Sequence, residues 1–162
     1  MRVGPRDLER MAFIALGSNL GDSRSILLQA IKRLQDFSPQ PLRVSSFWET
    51  APVDCPPGSP AFLNAAVGLV PRADERPETL LPRLQALEKE FGRQQKKILN
   101  EPRPLDLDLI AFGHETLAGP KLILPHPRAH LRRFVLGPLD EIAPDLILPG
   151  QTQTVRQLLK NL

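Results

Sequence analysis

The sequence contains one cysteine, Cys55, and no tyrosine among its 162 residues. A single cysteine cannot form an internal disulfide, and the three histidines do not combine with it in the spacing of a zinc site. Apolar runs stay well below the roughly 18 residues that a membrane-spanning helix requires, and residues 1–10 alternate charges without the apolar segment of an export signal. We therefore expect a soluble protein of the reducing cytoplasm that binds no membrane.

Both standard glycine-rich nucleotide motifs are missing: there is no G-x-x-x-x-G-K-[ST] loop and no G-x-G-x-x-G fingerprint. The chain also lacks the aromatic motif of RNA-recognition domains and a zinc finger, so nucleic acid is not an expected partner. It does carry a net charge of +3, with basic residues concentrated at 93–103 and 126–133. Such clusters attract polyanions, although a solvated surface is the simpler interpretation of each one alone.

The length fits one domain, and 41% apolar residues suffice for a core. We assign a short tail to residues 1–10 and a single domain to residues 11–162. Apolar periodicity predicts an α+β fold, a ferredoxin-like β-α-β-β-α-β antiparallel sheet with helices packed on one face, followed by a C-terminal extension. The predicted strands lie at 12–16, 42–50, 62–70 and 104–112, the helices at 23–37 and 79–91, and the extension contains a helix from about 134, a strand at 146–148 and a helix at 155–162.

Two helix boundaries follow from local signals. Asp22 or Ser23 is expected to cap the first helix, because both side chains can accept a hydrogen bond from the first turn. The second helix is expected to begin near Thr79, so that Pro82 falls in the first turn, where its missing N–H costs nothing.

The segment around Asp106 and Asp108 is the strongest chemical signal. In a strand these two carboxylates share one face while Leu105, Leu107 and Leu109 share the other. Two neighbouring acids, partly buried, need positive charge beside them. Either a pair of arginines on a solvated face or Mg²⁺, completed by water and substrate phosphate, satisfies the requirement.

Further polar residues flank this strand, but they do not decide between arginines and Mg²⁺ as partners of the two aspartates. Arg93 and Arg103 lie on either side of the segment that precedes it, and arginine suits phosphate oxygens. Asn64 is the one polar residue in an apolar strand, so it lies at a strand end or binds a ligand. His126, between two prolines, is either a loop histidine bonded to the backbone or part of a site, and Glu88 fits an ordinary exposed helix charge. Acids together with arginines indicate phosphoryl transfer.

Five motifs occur together in a familiar order. They are Gly-Ser-Asn-Leu-Gly-Asp at 17–22, Ser-Ser-Phe at 45–47 with Thr50 and Pro52, Phe-Leu-Asn-Ala-Ala-Val at 62–67, Pro-Arg at 102–103 with Leu-Asp-Leu-Asp at 105–108, and Pro-His at 125–126 with Arg-Arg-Phe at 132–134. From about residue 12 to residue 162 the chain resembles the 6-hydroxymethyl-7,8-dihydropterin pyrophosphokinase family.

The resemblance implies transfer of the terminal pyrophosphoryl group of ATP to the hydroxymethyl group of 6-hydroxymethyl-7,8-dihydropterin. The products are AMP and the pterin diphosphate, in folate biosynthesis. By motif match, Asp106 and Asp108 hold two Mg²⁺ ions and act with Arg93 and Arg103 in catalysis. The nucleotide site implied by the match comprises Gln85, Glu88, Arg93, Arg103, Leu109, Lys121, His126 and Arg132. The implied pterin pocket comprises Thr50, Val53, Asn64 and Phe134, with Asn64 pairing with the ring edge and Phe134 stacking on its face.

The chain departs from the family pattern in the segment 94–101, which the resemblance makes a flap over both ligands. Asn100 and Glu101 stand where an aromatic residue and glycine are usual, and Gln95 stands where an arginine is common. We expect a looser flap.

Two other functions are the alternatives to pyrophosphoryl transfer: a metal-dependent phosphodiesterase or nuclease, and a non-catalytic basic binding module. No heptad seam demands a second copy, so we expect a monomer.

Overall fold

An antiparallel sheet forms the centre of the structure, a computed structural model that describes residues 9–51, 56–92 and 103–162. Its strands are β1 (Ala12–Ser18), β2 (Arg43–Val44), β3 (Trp48–Thr50), β4 (Phe62–Leu69) and β5 (Asp106–Phe112). Strand β1 lies between β4 and β5, and β2 and β3 both pair with the outer side of β4. A separate antiparallel ribbon consists of β6 (Leu117–Ala118) and β7 (Ile123–Leu124).

The α-helices are α1 (Ser23–Leu34), α2 (Pro77–Glu90), α3 (Arg133–Ile142) and α4 (Val155–Lys160). The carboxylate of Asp22 accepts a 3.2 Å hydrogen bond from the amide of Ser25, which confirms Asp22 as the cap of α1. None of the helices in the described part of the chain is long and apolar enough to cross a membrane.

Helix α2 begins earlier than predicted. Pro77 occupies its first position, and the Arg76 amide donates a 2.9 Å hydrogen bond to Oγ1 of Thr79, which caps the turn. The expected start near Thr79 is therefore wrong, and Pro82 lies inside the helix. At this position the proline removes the bond to the carbonyl of Glu78, in the first turn of the helix.

The face of the sheet beneath α1 and α2 carries the larger apolar core. Leu105, just before β5, and Leu107 and Leu109 within it are buried there, as the alternation predicts. They pack in one cluster with Leu80, Leu84 and Leu87 of α2 and with Leu27 and Leu34 of α1. Burial of each leucine contributes about 2 kcal/mol of stability, so this face fixes the orientation of β5 and turns its aspartates to the opposite side.

The opposite face of the sheet is also covered, and the prediction of helices on one face only is wrong. Helices α3 and α4 of the C-terminal extension pack there, through Val135, Leu139 and Val155, against Phe13 and Ile110 of the sheet. The extension is apolar enough to form a third layer rather than an appendage. The space between α3 and the end of the sheet is where the predicted site residues gather.

The predicted strand at 42–50 is interrupted. Between the pairs Val44 with Val67 and Trp48 with Asn64, the first strand has one residue more than its partner, which is a bulge. Inside it the hydroxyl of Ser45 accepts a 2.8 Å hydrogen bond from the Ala66 amide, in place of a backbone carbonyl. The strand predicted at 146–148 is also wrong, since these residues form no strand and Leu148 packs instead in the core beneath α3 and α4.

Arg10, which the prediction places in the tail, is bound to the body of the protein. Its guanidinium donates hydrogen bonds to the carbonyls of Pro71, Arg72 and Glu75, at 3.5, 3.4 and 3.2 Å. Residues 1–8 lie outside the described residues, so the tail remains a prediction.

Candidate active site

A cleft of about 950 Å³ lies between the ends of the central strands and the start of α3. Its floor is β1, where Gly17 pairs with Asn64 on one side and with Asp106 on the other. Ala15, two residues earlier, pairs with Asp108. Because both floor residues are small, the space between the amide on β4 and the carboxylates on β5 stays open. The described lining residues are Ala15, Leu16, Gly17, Thr50, Ala51, Phe62, Asn64, Arg103, Asp106, Asp108, Arg128, Leu131, Arg132, Arg133, Phe134 and Val135.

The two aspartates line one end of this cleft, on the face of β5 opposite to the buried leucines. Arg103 lies beside them, with its Nε 3.6 Å from Oδ2 of Asp106, and both side chains keep some contact with solvent. This separation is that of a loose ion pair, so the arginine neutralises part of the acidic charge without enclosing it. Among the described ranges, no group of three or more histidines, cysteines and acids is placed to hold a metal.

Glu88 approaches the same strand from its outer edge. Its carboxylate accepts a 2.8 Å hydrogen bond from the amide of Leu107, the residue between the two aspartates. The edge of β5 is thereby fixed to α2. The sequence predicts an exposed helix charge or a nucleotide contact at Glu88, and the structure shows that its carboxylate also binds the backbone of β5.

The other end of the cleft carries a buried amide, and two aromatic side chains belong to the same lining. Asn64 is 6% exposed and donates a 2.7 Å hydrogen bond from Nδ2 to Oγ1 of Thr50. Phe62 and Phe134 both line this end. The guanidinium of Arg132 lies 5.5 Å from the centre of the Phe134 ring, so an arginine joins the aromatic end to the charged end.

His126 lies next to the acidic end, in a basic segment. Its amide donates a 2.8 Å hydrogen bond to the carbonyl of Ile110, and Nδ1 accepts one of 3.2 Å from the amide of Arg128. Burial first, and then the positive charges of Arg132 and Arg128, lower the pKa of its imidazole, while nearby Asp106 acts in the opposite direction. The backbone-bonded loop histidine of the sequence analysis is thus present, and it stands within electrostatic reach of the carboxylates.

Several predicted site residues are not brought into the cleft. Gln85 and Lys121 are exposed and are not among the described lining residues. The side chain of Leu109 is buried in the core on the other face of the sheet. Val53, Arg93 and the segment 94–101 lie outside the described residues.

The structure also adds residues that the sequence analysis did not assign. Phe62 lines the cleft two residues before Asn64, as strand alternation would have indicated. Arg128 and Arg133 were noted only as part of a basic cluster, and both line the cleft. Gly17, just beyond the predicted strand at 12–16, lies within β1 on the floor of the cleft.

Comparison with known proteins gives a family match over most of the chain. Residues 13–144 match the family model described as 7,8-dihydro-6-hydroxymethylpterin-pyrophosphokinase (HPPK). The chain is 39% identical over 137 residues to the 2-amino-4-hydroxy-6-hydroxymethyldihydropteridine pyrophosphokinase of Porphyromonas gingivalis, covering 83% of this chain and 91% of that protein. It is 40% identical over 136 residues to the protein of the same name from Bacillus subtilis, covering 83% and 79% of the two chains.

Longer proteins match as well. The folate synthesis bifunctional protein of Arabidopsis thaliana is 40% identical over 129 residues, 80% of this chain but 26% of the plant protein. A structure of Plasmodium falciparum HPPK-DHPS matches with a TM-score of 0.72 at 14% identity, covering 93% of this chain and 45% of that one, which bears on the fold alone. The chain thus spans about a quarter of the plant relative and less than half of the structural one. With most of its length inside the family match, the chain belongs to the 7,8-dihydro-6-hydroxymethylpterin-pyrophosphokinase family.

Proposed function

We propose that this protein transfers the pyrophosphoryl group of ATP to the hydroxymethyl group of 6-hydroxymethyl-7,8-dihydropterin, giving AMP and the pterin diphosphate for folate synthesis. One observation carries the proposal: a single cleft contains a buried amide with two aromatic side chains on its lining at one end and two carboxylates with arginines at the other. The first end suits a flat polar heterocycle, and the second suits a polyphosphate. A hydroxymethyl group on the heterocycle would meet the phosphates between them.

The pterin end is assigned to Thr50, Asn64 and Phe134, with Val53 kept as a sequence prediction. Asn64 is held by Thr50, so its remaining amide atoms can pair with the edge of a heterocycle. Phe134 offers a ring face for stacking. Phe62 also lines the cleft and would form a second aromatic wall of the pterin pocket.

The acidic end fits Mg²⁺ by the chemistry of its donors, because two carboxylates completed by phosphate oxygens are the usual ligands of this ion. We propose that Asp106 and Asp108 hold two Mg²⁺ ions, which would supply charge neutralisation for the triphosphate when bound. Arg103 and Arg132 bind phosphate oxygens from the two sides of the cleft, and one aspartate accepts the proton of the attacking hydroxyl. Arg93 is proposed as a further catalytic cation from the sequence alone.

The other residues assigned to the nucleotide site are not among the described lining residues of the cleft. His126 stands beside the acidic end and Glu88 at the edge of β5, so both can reach a nucleotide there. Leu109 could contribute only through its main chain, because its side chain is in the core. Gln85 and Lys121 would require the nucleotide to extend beyond the cleft.

We also propose the ferredoxin-like arrangement for residues 11–162. The strand order β2/β3, β4, β1, β5, antiparallel throughout, supports it, with α1 and α2 on one face. A monomer in the cytoplasm remains the expectation from the sequence.

The proposal is tested by incubating the protein with ATP, Mg²⁺ and the hydroxymethyl pterin. We expect AMP and a pyrophosphorylated pterin in equal amounts, detected by mass spectrometry and phosphorus NMR. Asp106→Asn and Asp108→Asn should each lower kcat by at least about a hundredfold, since a carboxylate ligand of a catalytic metal supplies several kcal/mol. Asp74→Asn, in an exposed turn before α2, is the matched control. Hydrolysis of nucleic acid without AMP formation would instead establish the nuclease alternative.

A further inference from the structure

Helix α3 rests on strand β3 through a contact that only glycine permits. A Cβ atom at Gly137 would lie 2.5 Å from Cζ3 and 2.6 Å from Cη2 of Trp48. These atoms belong to the six-membered ring of the indole, which therefore lies directly against the backbone of α3. The size of the residue at 48 and the absence of a side chain at 137 together set how closely the helix approaches the sheet.

The same indole is tied to α3 one turn later. Its Nε1 donates a 2.5 Å hydrogen bond to Oε2 of Glu141. Glu141 also accepts bonds from Ser46, 2.8 Å from the amide to Oε1 and 2.7 Å from the hydroxyl to Oε2. Partial burial works to raise the pKa of this carboxyl, but the bonds from Ser46 and Trp48 outweigh it and the pKa is lowered, so the carboxylate is charged at neutral pH.

This contact lies directly behind the aromatic end of the cleft. Trp48 is the cross-strand partner of Asn64 and precedes Thr50 by two residues, so the three side chains share one face of the sheet. Phe134 precedes Gly137 by three residues and lies on the same side of α3. Trp48 therefore lies between the helix that carries Phe134 and the strand that carries Asn64.

We infer that Trp48 is a positioning residue: seated on Gly137 and bonded to Glu141, it sets the width of the slot between Phe134 and Asn64, and so the affinity of the site for a flat heterocycle. The inference rests on the proposed function, which identifies the heterocycle as the pterin. Nucleotide affinity depends mainly on the acidic end of the cleft, where Arg103, Asp106 and Asp108 lie on the far side of β1. Of the proposed phosphate contacts in the described residues, only Arg132, at the start of α3, moves with this contact.

The first test changes the spacing. Gly137→Ala should push α3 away from the sheet and weaken pterin binding, measured by calorimetry with Mg²⁺ and an unreactive ATP analogue, on the order of 10- to 100-fold. Affinity for the ATP analogue alone should fall much less, because Arg132 is the one proposed phosphate contact on this helix among the described residues. Adding Trp48→Phe removes the ring atoms that the new methyl meets, so the double variant should recover part of the lost pterin affinity. Recovery is incomplete because phenylalanine cannot donate the bond to Glu141. Gly119→Ala, whose Cβ would meet only a carbonyl at 3.6 Å, is the control.

The second test changes the hydrogen bonds and keeps the proposal falsifiable if Gly137→Ala does not fold. Glu141 accepts three hydrogen bonds, two from Ser46 and one from Trp48. Glu141→Gln replaces one of the two accepting oxygens by an NH₂ group, which cannot accept, and this should weaken pterin binding about tenfold. Trp48 is the only tryptophan, so its fluorescence reports the contact directly and should shift to longer wavelength. Asp140→Asn, the neighbouring acid, which is paired with Arg156 at 3.0 Å, should leave both readouts unchanged.

Two results would overturn the inference: unchanged pterin affinity in both variants, or losses of pterin and nucleotide affinity of equal size, which general destabilisation produces. Failure of the unaltered protein to bind the pterin would overturn the proposed function instead. The fluorescence of Glu141→Gln reports the contact at Trp48 without any ligand. It therefore separates failure of this inference from failure of the proposed function.

Discussion

Asn64 and Thr50 are joined by a 2.7 Å hydrogen bond from Nδ2 to Oγ1, at the aromatic end of the cleft. Because Asn64 is almost fully buried, its amide needs this partner. The bond also fixes which way the amide faces: Oδ1 lies toward Gly17 and would be 3.4 Å from a Cβ there. The donor and acceptor pattern that a heterocycle meets is therefore set by Thr50.

Thr50→Val tests this relationship, since valine has nearly the same shape but no hydroxyl. The free energy of unfolding should fall by about 1 to 3 kcal/mol, the cost of an unsatisfied buried amide. Pterin affinity should fall about tenfold, measured by calorimetry. Thr50→Ser keeps the acceptor and should resemble the unaltered protein. Equal behaviour of the valine and serine variants would contradict the role given to the hydroxyl.

Gly17→Ala separates ligand binding from stability. A methyl group at this position meets Asn64 and Phe62 only at ordinary contact distances, 3.4 and 3.7 Å. The free energy of unfolding should therefore stay the same or rise by about 0.4 to 1 kcal/mol, because alanine restricts the unfolded chain. The methyl group stands on the floor of the cleft, so pterin affinity should fall about tenfold or more. A large loss of stability in urea unfolding would show that the floor of the cleft cannot accommodate the added methyl group.

The pattern on β5 was predictable from the sequence because it is local. Leucines at 105, 107 and 109 and aspartates at 106 and 108 alternate with the strand period, and the structure buries the first set and turns the second toward the cleft. The Asp22 cap was predictable for the same reason, since its partner is three residues away. Such signals need no knowledge of distant contacts.

The errors concern contacts between residues far apart in the chain. The sequence around Ser45 is rich in strand-forming residues, but its hydroxyl bonds to Ala66 and interrupts the strand. No residue near Trp48 in the sequence indicates that its ring packs against Gly137, 89 positions later. The covering of the second sheet face likewise depends on where the extension packs, which periodicity alone does not specify.

Glu88→Ala tests whether the outer edge of β5 needs its carboxylate. Loss of the bond to the Leu107 amide should lower the free energy of unfolding by about 1 to 2 kcal/mol, measured in urea. Glu88→Gln retains an acceptor and should cost less than half as much. If the glutamine variant binds an ATP analogue as tightly as the unaltered protein, Glu88 acts through the strand. A selective loss of nucleotide affinity in the glutamine variant would show direct contact.

His126 should make stability depend on pH in a defined direction. Burial, and then Arg132 and Arg128, lower the pKa of its imidazole in the folded protein below the ordinary value near 6.5. Between the folded and unfolded pKa values the unfolded chain binds more protons, so the free energy of unfolding rises with pH there. Stability from this group is complete above about pH 6.5 and is lost as the pH falls toward the folded pKa.

His126→Asn keeps an acceptor for the Arg128 amide but does not titrate. The stability difference between the unaltered protein and this variant, from urea unfolding at pH 7.5, 6.5 and 5.5, should therefore move against the unaltered protein as the pH falls. Proton NMR of the imidazole should give a midpoint below 6.5 that rises in Arg128→Gln, because one repelling charge is gone. A pH-independent stability difference would contradict this assignment, and so would an unchanged midpoint in Arg128→Gln.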